Sequence, residues 1–263
     1  MKEIQPAVTF DLWHTLVYVT PDEEQRYMQR QLDVARDALE GSPPLSGART
    51  PSGAELRALF RREYEAAVAE SRTGRSVTPV QQFERAARRA RRRPRTRSYL
   101  SALRDLVRTL RFHVAPDARG TLSALRREGY LLAILSNTTG EPGRYLRPAL
   151  SRLGFDELVS GYTFSDELPW SKPAPQIFRH ALDRIGSGPA AAVHVGDSWS
   201  DVEGGRRARM AGTILFTGLQ NYGQEYRRLF FPAGLDRLPA QFRVRTLAGA
   251  IPIVRRLVPP PRR

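Results

Sequence analysis

Ala7-Val8-Thr9-Phe10-Asp11-Leu12-Trp13-His14-Thr15-Leu16 opens as a four-residue apolar run and ends on a carboxylate. Such a run has the shape of a parallel strand buried on both faces. The residues beyond it decide the fold. From about residue 21 to residue 113 the pattern turns helical, with helices expected near 22–40, 54–71, 79–92 and 98–111. The Pro/Gly/Ser-rich stretch from Gly41 to Gly53 separates the first two. After Pro116 strand and helix alternate. Helices are expected near 117–127, 142–152, 176–185, 200–209 and 247–257, the last with a kink or restart at Pro252. Strands are expected near 131–135, 159–164, 191–195, 213–216 and 242–245. This alternation predicts an α/β fold, a doubly wound, Rossmann-like parallel sheet with helices on both faces. Residues 1–20 and 114–257 form the core of this reading, 21–113 an inserted helical block, and 258–263 a frayed tail.

Composition narrows the chemistry. The chain has 263 residues and no cysteine, which excludes disulfides, thiolate catalysis and Cys-based zinc sites. Its four histidines, His14, His113, His180 and His194, show no metal-ligand spacing. No apolar run approaches a membrane span, and the short polar start leaves no room for a signal peptide, so a cytoplasmic location is expected. A net charge of +15 attracts polyanions in general. Arg enrichment from biased composition explains the charge as well, and nucleic acid is not the expected partner. The basic run Arg85 to Arg97 reads as a solvated helix face, with an acidic partner as the alternative.

Of 42 Lys+Arg residues only Lys2 and Lys172 are lysines. A compact ammonium fits a tight pocket that a planar guanidinium does not, which singles out Lys172. In open α/β sheets ligands bind at the carboxyl ends of strands. Four polar clusters stand at such ends or in the loops beyond: Asp11 with Thr15, Ser136-Asn137, the segment carrying Lys172, and Asp197 with Asp201. Taken singly each has an ordinary explanation. Thr15 and Ser136 suit turns or caps, Asp201 suits a helix cap, and Gly204 and Gly205 suit close helix packing.

In this order, Phe10-Asp11-Leu12-Trp13-His14-Thr15-Leu16, Leu135-Ser136-Asn137, Ser171-Lys172-Pro173 and Val195-Gly196-Asp197-Ser198 with Asp201 resemble the haloacid dehalogenase superfamily of hydrolases. The resemblance spans most of residues 5–217, and the helical block falls where many members carry a cap domain. It implies that Asp11 is a nucleophile forming an aspartyl intermediate. It further implies that Ser136 binds an oxygen of the transferred group, that Lys172 offsets charge near Asp11, and that Thr15 and Asn137 contact substrate. The implied metal site is Mg²⁺ on Asp11, the backbone carbonyl of Trp13 and Asp197, with Asp201 and Ser198 behind it. The expected substrate is a small phosphorylated metabolite. Oligomeric state is not legible.

One position departs from the pattern. Phosphatases of the family carry an aspartate two residues after the nucleophile as acid and base, and here Trp13 stands there. Leaving groups that need no proton, such as an acyl phosphate or a halide, are therefore expected to be preferred. His14 is a candidate replacement, since its ordinary pKa of about 6.5 suits proton transfer. An aromatic residue at this position also fits a metal-free 2-haloacid dehalogenase. Asp197 argues against that reading, because it would repel an anionic substrate, and no substrate-binding arginine stands out between Tyr27 and Arg30. A third reading is a catalytically weak relative that binds an acidic partner through the Arg-rich segment.

Overall fold

The computed structural model describes residues 5–219 and 240–261. Six parallel strands form one sheet: β1 (Ala7–Phe10), β4 (Leu131–Ser136), β5 (Gly161–Phe164), β6 (Ala192–Gly196), β7 (Gly212–Phe216) and β8 (Phe242–Val244). Their order across it is β5-β4-β1-β6-β7-β8. All six expected strands exist, with ends shifted by up to two residues. Placing β1 between β4 and β6 puts the start of the chain at the sheet centre, which is why the residues of β1 are completely buried.

The helices are α1 (Pro21–Glu40), α2 (Gly53–Ser71), α3 (Pro79–Arg89), α4 (Thr96–Val107), α5 (Ala118–Arg127), α6 (Gly143–Arg152), α7 (Pro175–Ile185), α8 (Trp199–Ala208) and α9 (Ala250–Leu257). Period-2 alternation sorts the sheet's two faces. Val8, Phe10, Leu132, Ile134, Val193 and Val195 join the core that includes α5 and α9. Leu135 lies on the other face, with Ile177 and Phe178 of α7 and Ala208 of α8. Thr9 and His194 share that second face as register partners on β1 and β6.

The helical block starts and stops by local chemistry. Thr20, Ser52 and Thr78 cap α1, α2 and α3, each closing a capping box with Glu23, Glu55 and Gln81. Inside the block Phe83 stacks on Tyr99 with ring centroids 4.3 Å apart, and Phe60 meets Tyr99 edge-on. A two-residue antiparallel pair, β2 (Val17–Tyr18) with β3 (His113–Val114), ties the chain where it leaves for the helices to where it returns. Two residues are too few for a periodicity, so sequence reading missed the pair.

Most of the run Arg85 to Arg97 is exposed, as expected. Ala86, Ala87 and Ala90 are buried, and so is one arginine: Arg92 donates to the carbonyls of Glu40 at 3.0 Å and Ser42 at 2.6 Å. Arg85 and Arg89 pair with Glu70 and Glu63 on α2. Two other expectations need correction. Pro252 neither kinks nor restarts a helix over 247–257, because α9 begins only at Ala250 and the proline falls in its first turn, where its missing N–H is harmless. Val258, expected to begin a frayed tail, is buried, and its carbonyl accepts a 2.6 Å hydrogen bond from the Tyr130 hydroxyl. Residues 262–263 of that tail lie outside the described residues.

Candidate active site

The carboxyl ends of β1, β4 and β6 converge, and each delivers a polar residue into one buried cluster. Asp11 leaves β1 with its backbone N–H donating to the Val195 carbonyl of β6 at 2.9 Å. Lys172 arrives from the loop after β5. Its Nζ lies 2.6 Å from Asp11 Oδ1 and 2.6 Å from Asp201 Oδ1. The Lys172 side chain is 2 % exposed, so this ammonium is held by carboxylates and not by solvent. One carboxylate oxygen from each of Asp11, Asp197 and Asp201 lies within 4.8 Å of the others.

Asp201 makes two sets of contacts. As the third residue of α8 it closes a capping box with Ser198, accepting the Ser198 N–H at 3.0 Å on Oδ2. Its Oδ1 takes Lys172 and, at 2.9 Å, His194 Nε2. His194 is a functional neighbour that sequence reading passed over. Its Nδ1 lies 2.8 Å from the Thr9 hydroxyl. Because Nε2 faces a carboxylate, the proton belongs on Nε2 and Thr9 donates to Nδ1. Burial also lowers the His194 pKa, which keeps the ring neutral. The only available signal was a polar residue in the apolar run Ala192-Val193-His194-Val195.

Gly196 is required where β6 ends. A Cβ there would stand 2.3 Å from the Asp201 carboxyl carbon. Gly204 and Gly205 let α8 pack closely, as a Cβ would meet Phe178 and Thr213 respectively, each at 2.3 Å.

Asn137 has a role beyond the expected one. Its Oδ1 accepts the Lys172 N–H at 2.8 Å and its Nδ2 donates to the Lys172 carbonyl at 3.0 Å. Both ends of the amide thus grip the backbone of the lysine residue, each with one hydrogen-bonding position still to spare. Ser136 is buried, with its hydroxyl 3.4 Å from the Asn137 carbonyl. Thr15 is fully buried, and its hydroxyl makes no hydrogen bond among the described residues. His14 is buried with φ of 56°, a left-handed turn that histidine tolerates better than most residues. Trp13 packs its ring 5.3 Å from Phe112.

Three carboxylates gather here around one ammonium that pairs with two of them. Burial raises the Asp11 pKa well above its usual range; Lys172 pulls it back, and the charges of Asp201 and Asp197 push it further up. Burial alone would lower the Lys172 pKa, yet the attraction of Asp11 and Asp201 raises it, so the ammonium stays charged. Asp201, held by Lys172 and His194 against its own burial, is driven far below the usual carboxylate range. The cluster therefore carries excess negative charge on hard oxygen donors, and a divalent cation fits it. Asp201 has both oxygens committed, which leaves Asp11 and Asp197 as the side chains that could hold the ion.

A second feature adjoins this cluster. A cavity of about 60 Å³ opens between the helical block and the β4 loop, with Trp13, Glu24, Tyr27, Tyr64, Asn137 and Glu141 among its walls. Burial pushes the Glu141 carboxyl up to about 7, the nearby Tyr27 hydroxyl opposing it. Sequence reading did not single out Glu141, because nothing in Thr139-Gly140-Glu141-Pro142 distinguishes a cavity wall from a surface turn.

A doubly wound sheet with an aspartate, a lysine and two further aspartates gathered at its carboxyl edge defines an α/β class with a buried charged centre at the strand ends. The haloacid dehalogenase-like hydrolase family model matches residues 6–209, and the chain belongs to that family. Phosphoglycolate phosphatase of Psychrobacter arcticus is 33% identical over 114 residues, 43% of this chain and 48% of that protein. (S)-2-haloacid dehalogenase 4A of Burkholderia cepacia is 36% identical over 89 residues, 34% of this chain and 37% of that protein. The chain thus spans about half the length or less of these curated relatives. A phosphatase of the same family from Thermococcus onnurineus shares the fold, with a TM-score of 0.60 and 24% identity over 95% of this chain and 98% of that one. Among the described residues no helix is long and apolar enough to cross a membrane.

Proposed function

We propose that this protein is a metal-assisted phosphohydrolase that removes phosphate from a small metabolite through an aspartyl intermediate. The observation that carries this reading is the Lys172 ammonium bridging Asp11 and Asp201 at 2.6 Å, with Asp197 beside them. Lys172 occupies one oxygen of Asp11 and leaves the other to attack phosphorus. Asp201, oriented by His194, and Asn137, gripping the Lys172 backbone, hold the ammonium where charge gathers in the transition state. The Ser136 hydroxyl donates to an oxygen of the transferred group. A Mg²⁺ ion on Asp11, Asp197 and the Trp13 backbone carbonyl would neutralise the phosphoryl oxygens against these carboxylates. Residues 21–113 act as a cap over Asp11 that excludes water and shapes the leaving-group site.

With Trp13 in place of an acid, leaving groups that need no proton react fastest, because general acid help worth about 10²–10⁴-fold is missing. His14, on the same loop and in the cavity wall, is the candidate for residual proton transfer. An unchanged rate and pH profile in His14→Ala would remove it from the mechanism.

The deciding experiment measures phosphate release from acetyl phosphate and from a simple alkyl phosphate, with Mg²⁺ and with chelator, for wild type and Asp11→Asn. The reading expects metal-dependent release, faster for the acyl phosphate and abolished by the substitution. Metal-independent halide release from a 2-haloacid would instead establish a dehalogenase. No turnover, with salt-sensitive binding to a polyanion, would point to a binding protein that uses the Arg-rich segment.

A further inference from the structure

The cavity differs from the rest of this chain in charge. In a protein of net charge +15, no arginine or lysine is found among the described residues that line it, whereas Glu24 and Glu141 both do. Its walls include the rings of Trp13, Tyr27 and Tyr64. The Tyr27 side chain is buried, and among the described residues its hydroxyl approaches the Glu141 carboxyl without closing a hydrogen bond of full geometry. The Glu141 charge is felt by tyrosines on three helices of the block, Tyr27, Tyr64 and Tyr99. It therefore sits on the cap side of the cavity, where the end of a substrate remote from its phosphate would lie. At about 60 Å³ the space holds roughly four water-sized groups.

The loop bearing Glu141 is fixed in place. Gln31 of α1 donates to the Gly140 carbonyl at 2.8 Å, and Gln82 of α3 donates to the Thr139 carbonyl at 2.6 Å. A carboxyl anchored beside aromatic faces and a buried hydroxyl that it does not fully engage is a receptor for a hydrogen-bond-donating cation. An ammonium would gain from the carboxylate and from the ring faces together. A carboxylate in the same place would meet like charge.

Resting on the phosphohydrolase reading, we propose that the substrate is a small phosphate ester whose distal end carries a protonated amine, recognised by Glu141. This separates the chain from the relatives named for phosphoglycolate, a molecule that ends in a carboxylate.

The test uses three near-isosteric ligands as competitive inhibitors of acetyl phosphate hydrolysis in Mg²⁺: phosphoethanolamine, 2-hydroxyethyl phosphate and phosphoglycolate. All three carry the same alkyl phosphate, so the missing acid at position 13 cancels from the comparison. Inhibition is expected to weaken in that order, with on the order of tenfold or more between the first and last. In Glu141→Gln, checked for folding by its thermal melt, the ammonium ligand should lose its advantage over the hydroxyl one. Wild type alone is sufficient to refute the idea if the Glu141 variant does not fold. A flat or inverted series in wild type overturns this inference and leaves the phosphohydrolase reading standing. Absence of acetyl phosphate hydrolysis removes that reading and this inference with it.

Discussion

The cluster around Asp11 and the cavity beneath the helical block lie side by side and are built on opposite terms. In the cluster Lys172 serves two carboxylates, Asp201 accepts from lysine, histidine and a backbone N–H, and Asn137 spends both ends of its amide on one residue. In the cavity the Tyr27 hydroxyl, among the described residues, approaches the Glu141 carboxyl without closing a full hydrogen bond, and that carboxyl sits in surroundings that disfavour its charge. Buried polar groups are normally satisfied internally. The cluster obeys that rule and is preorganised for one chemistry. The cavity departs from it, as expected of a surface completed by a ligand.

The strongest challenge to this contrast is Lys172→Met. It leaves Asp11 and Asp201 buried without their cation, and removing one partner of a buried pair costs about 3–5 kcal/mol. A lowered melting temperature and loss of turnover are expected together. Lys172→Arg should not restore activity, because the fork does not fit the space between two carboxylates 2.6 Å from Nζ. A fully active Lys172→Met protein would end the claim that the cluster is preorganised.

His194→Gln tests the same region from behind. His194 positions Asp201, so kcat should fall on the order of 10–100-fold, as when outer partners of a site are removed, while KM holds. A drop in melting temperature with kcat intact would make His194 a packing residue.

The cavity is probed by acid. Burial raises Glu141 to about 7 from an ordinary value of 4.5. The groups facing it are Tyr27 and Glu24 from α1, Tyr64 from α2, Tyr99 from α4, and Asp166 and His14 from the core loops. A folded-state pKa above the unfolded one gives stability that is complete below about 4.5 and is lost as pH rises through about 7. Wild type should therefore lose on the order of 1–3 kcal/mol relative to Glu141→Gln between pH 5 and pH 8. Parallel stability curves for the two proteins over that range would show that Glu141 is solvated and not part of a ligand-ready wall.

Gln31→Ala gives the smallest effect. It frees the Gly140 carbonyl from α1 at a cost of about 1 kcal/mol. It should weaken substrate binding more than it slows chemistry, since Lys172 is braced elsewhere. The backbone just before the lysine is tied to the segment between α2 and α3, through Ser171 N to the Gly74 carbonyl at 2.9 Å and Ser76 N to the Pro169 carbonyl at 3.2 Å. Gly74 permits that approach with φ of 89° and a Cβ position only 2.8 Å from the Ala174 Cβ.

Much of the reaction end was legible in the chain because strand ends announce themselves. An apolar run that stops at a carboxylate, or at Ser-Asn, marks both the strand and the place where its loop enters the ligand crevice. Asp11 and Asp197 were found this way, Asp201 by its place just beyond Asp197, and Lys172 by the scarcity of lysine among the cations. His194 escaped because a strand buried on both faces has no alternation to violate. Asn137 was found, but its grip on the Lys172 backbone could be assigned only once the lysine loop was seen to pass beside it.

Periodicity, capping chemistry and strand ends are local along the chain, and they were enough to establish the parallel sheet, the inserted helices and the identity of the charged residues. It took the folded arrangement to reveal that Thr9, His194, Asp201 and Lys172 form one line of hydrogen bonds, and that Glu141 shares a cavity with tyrosines from the helical block. Those facts depend on register between β1 and β6 and on which helix lies over which loop. Both are set by packing between segments more than a hundred residues apart, where no local pattern carries the information.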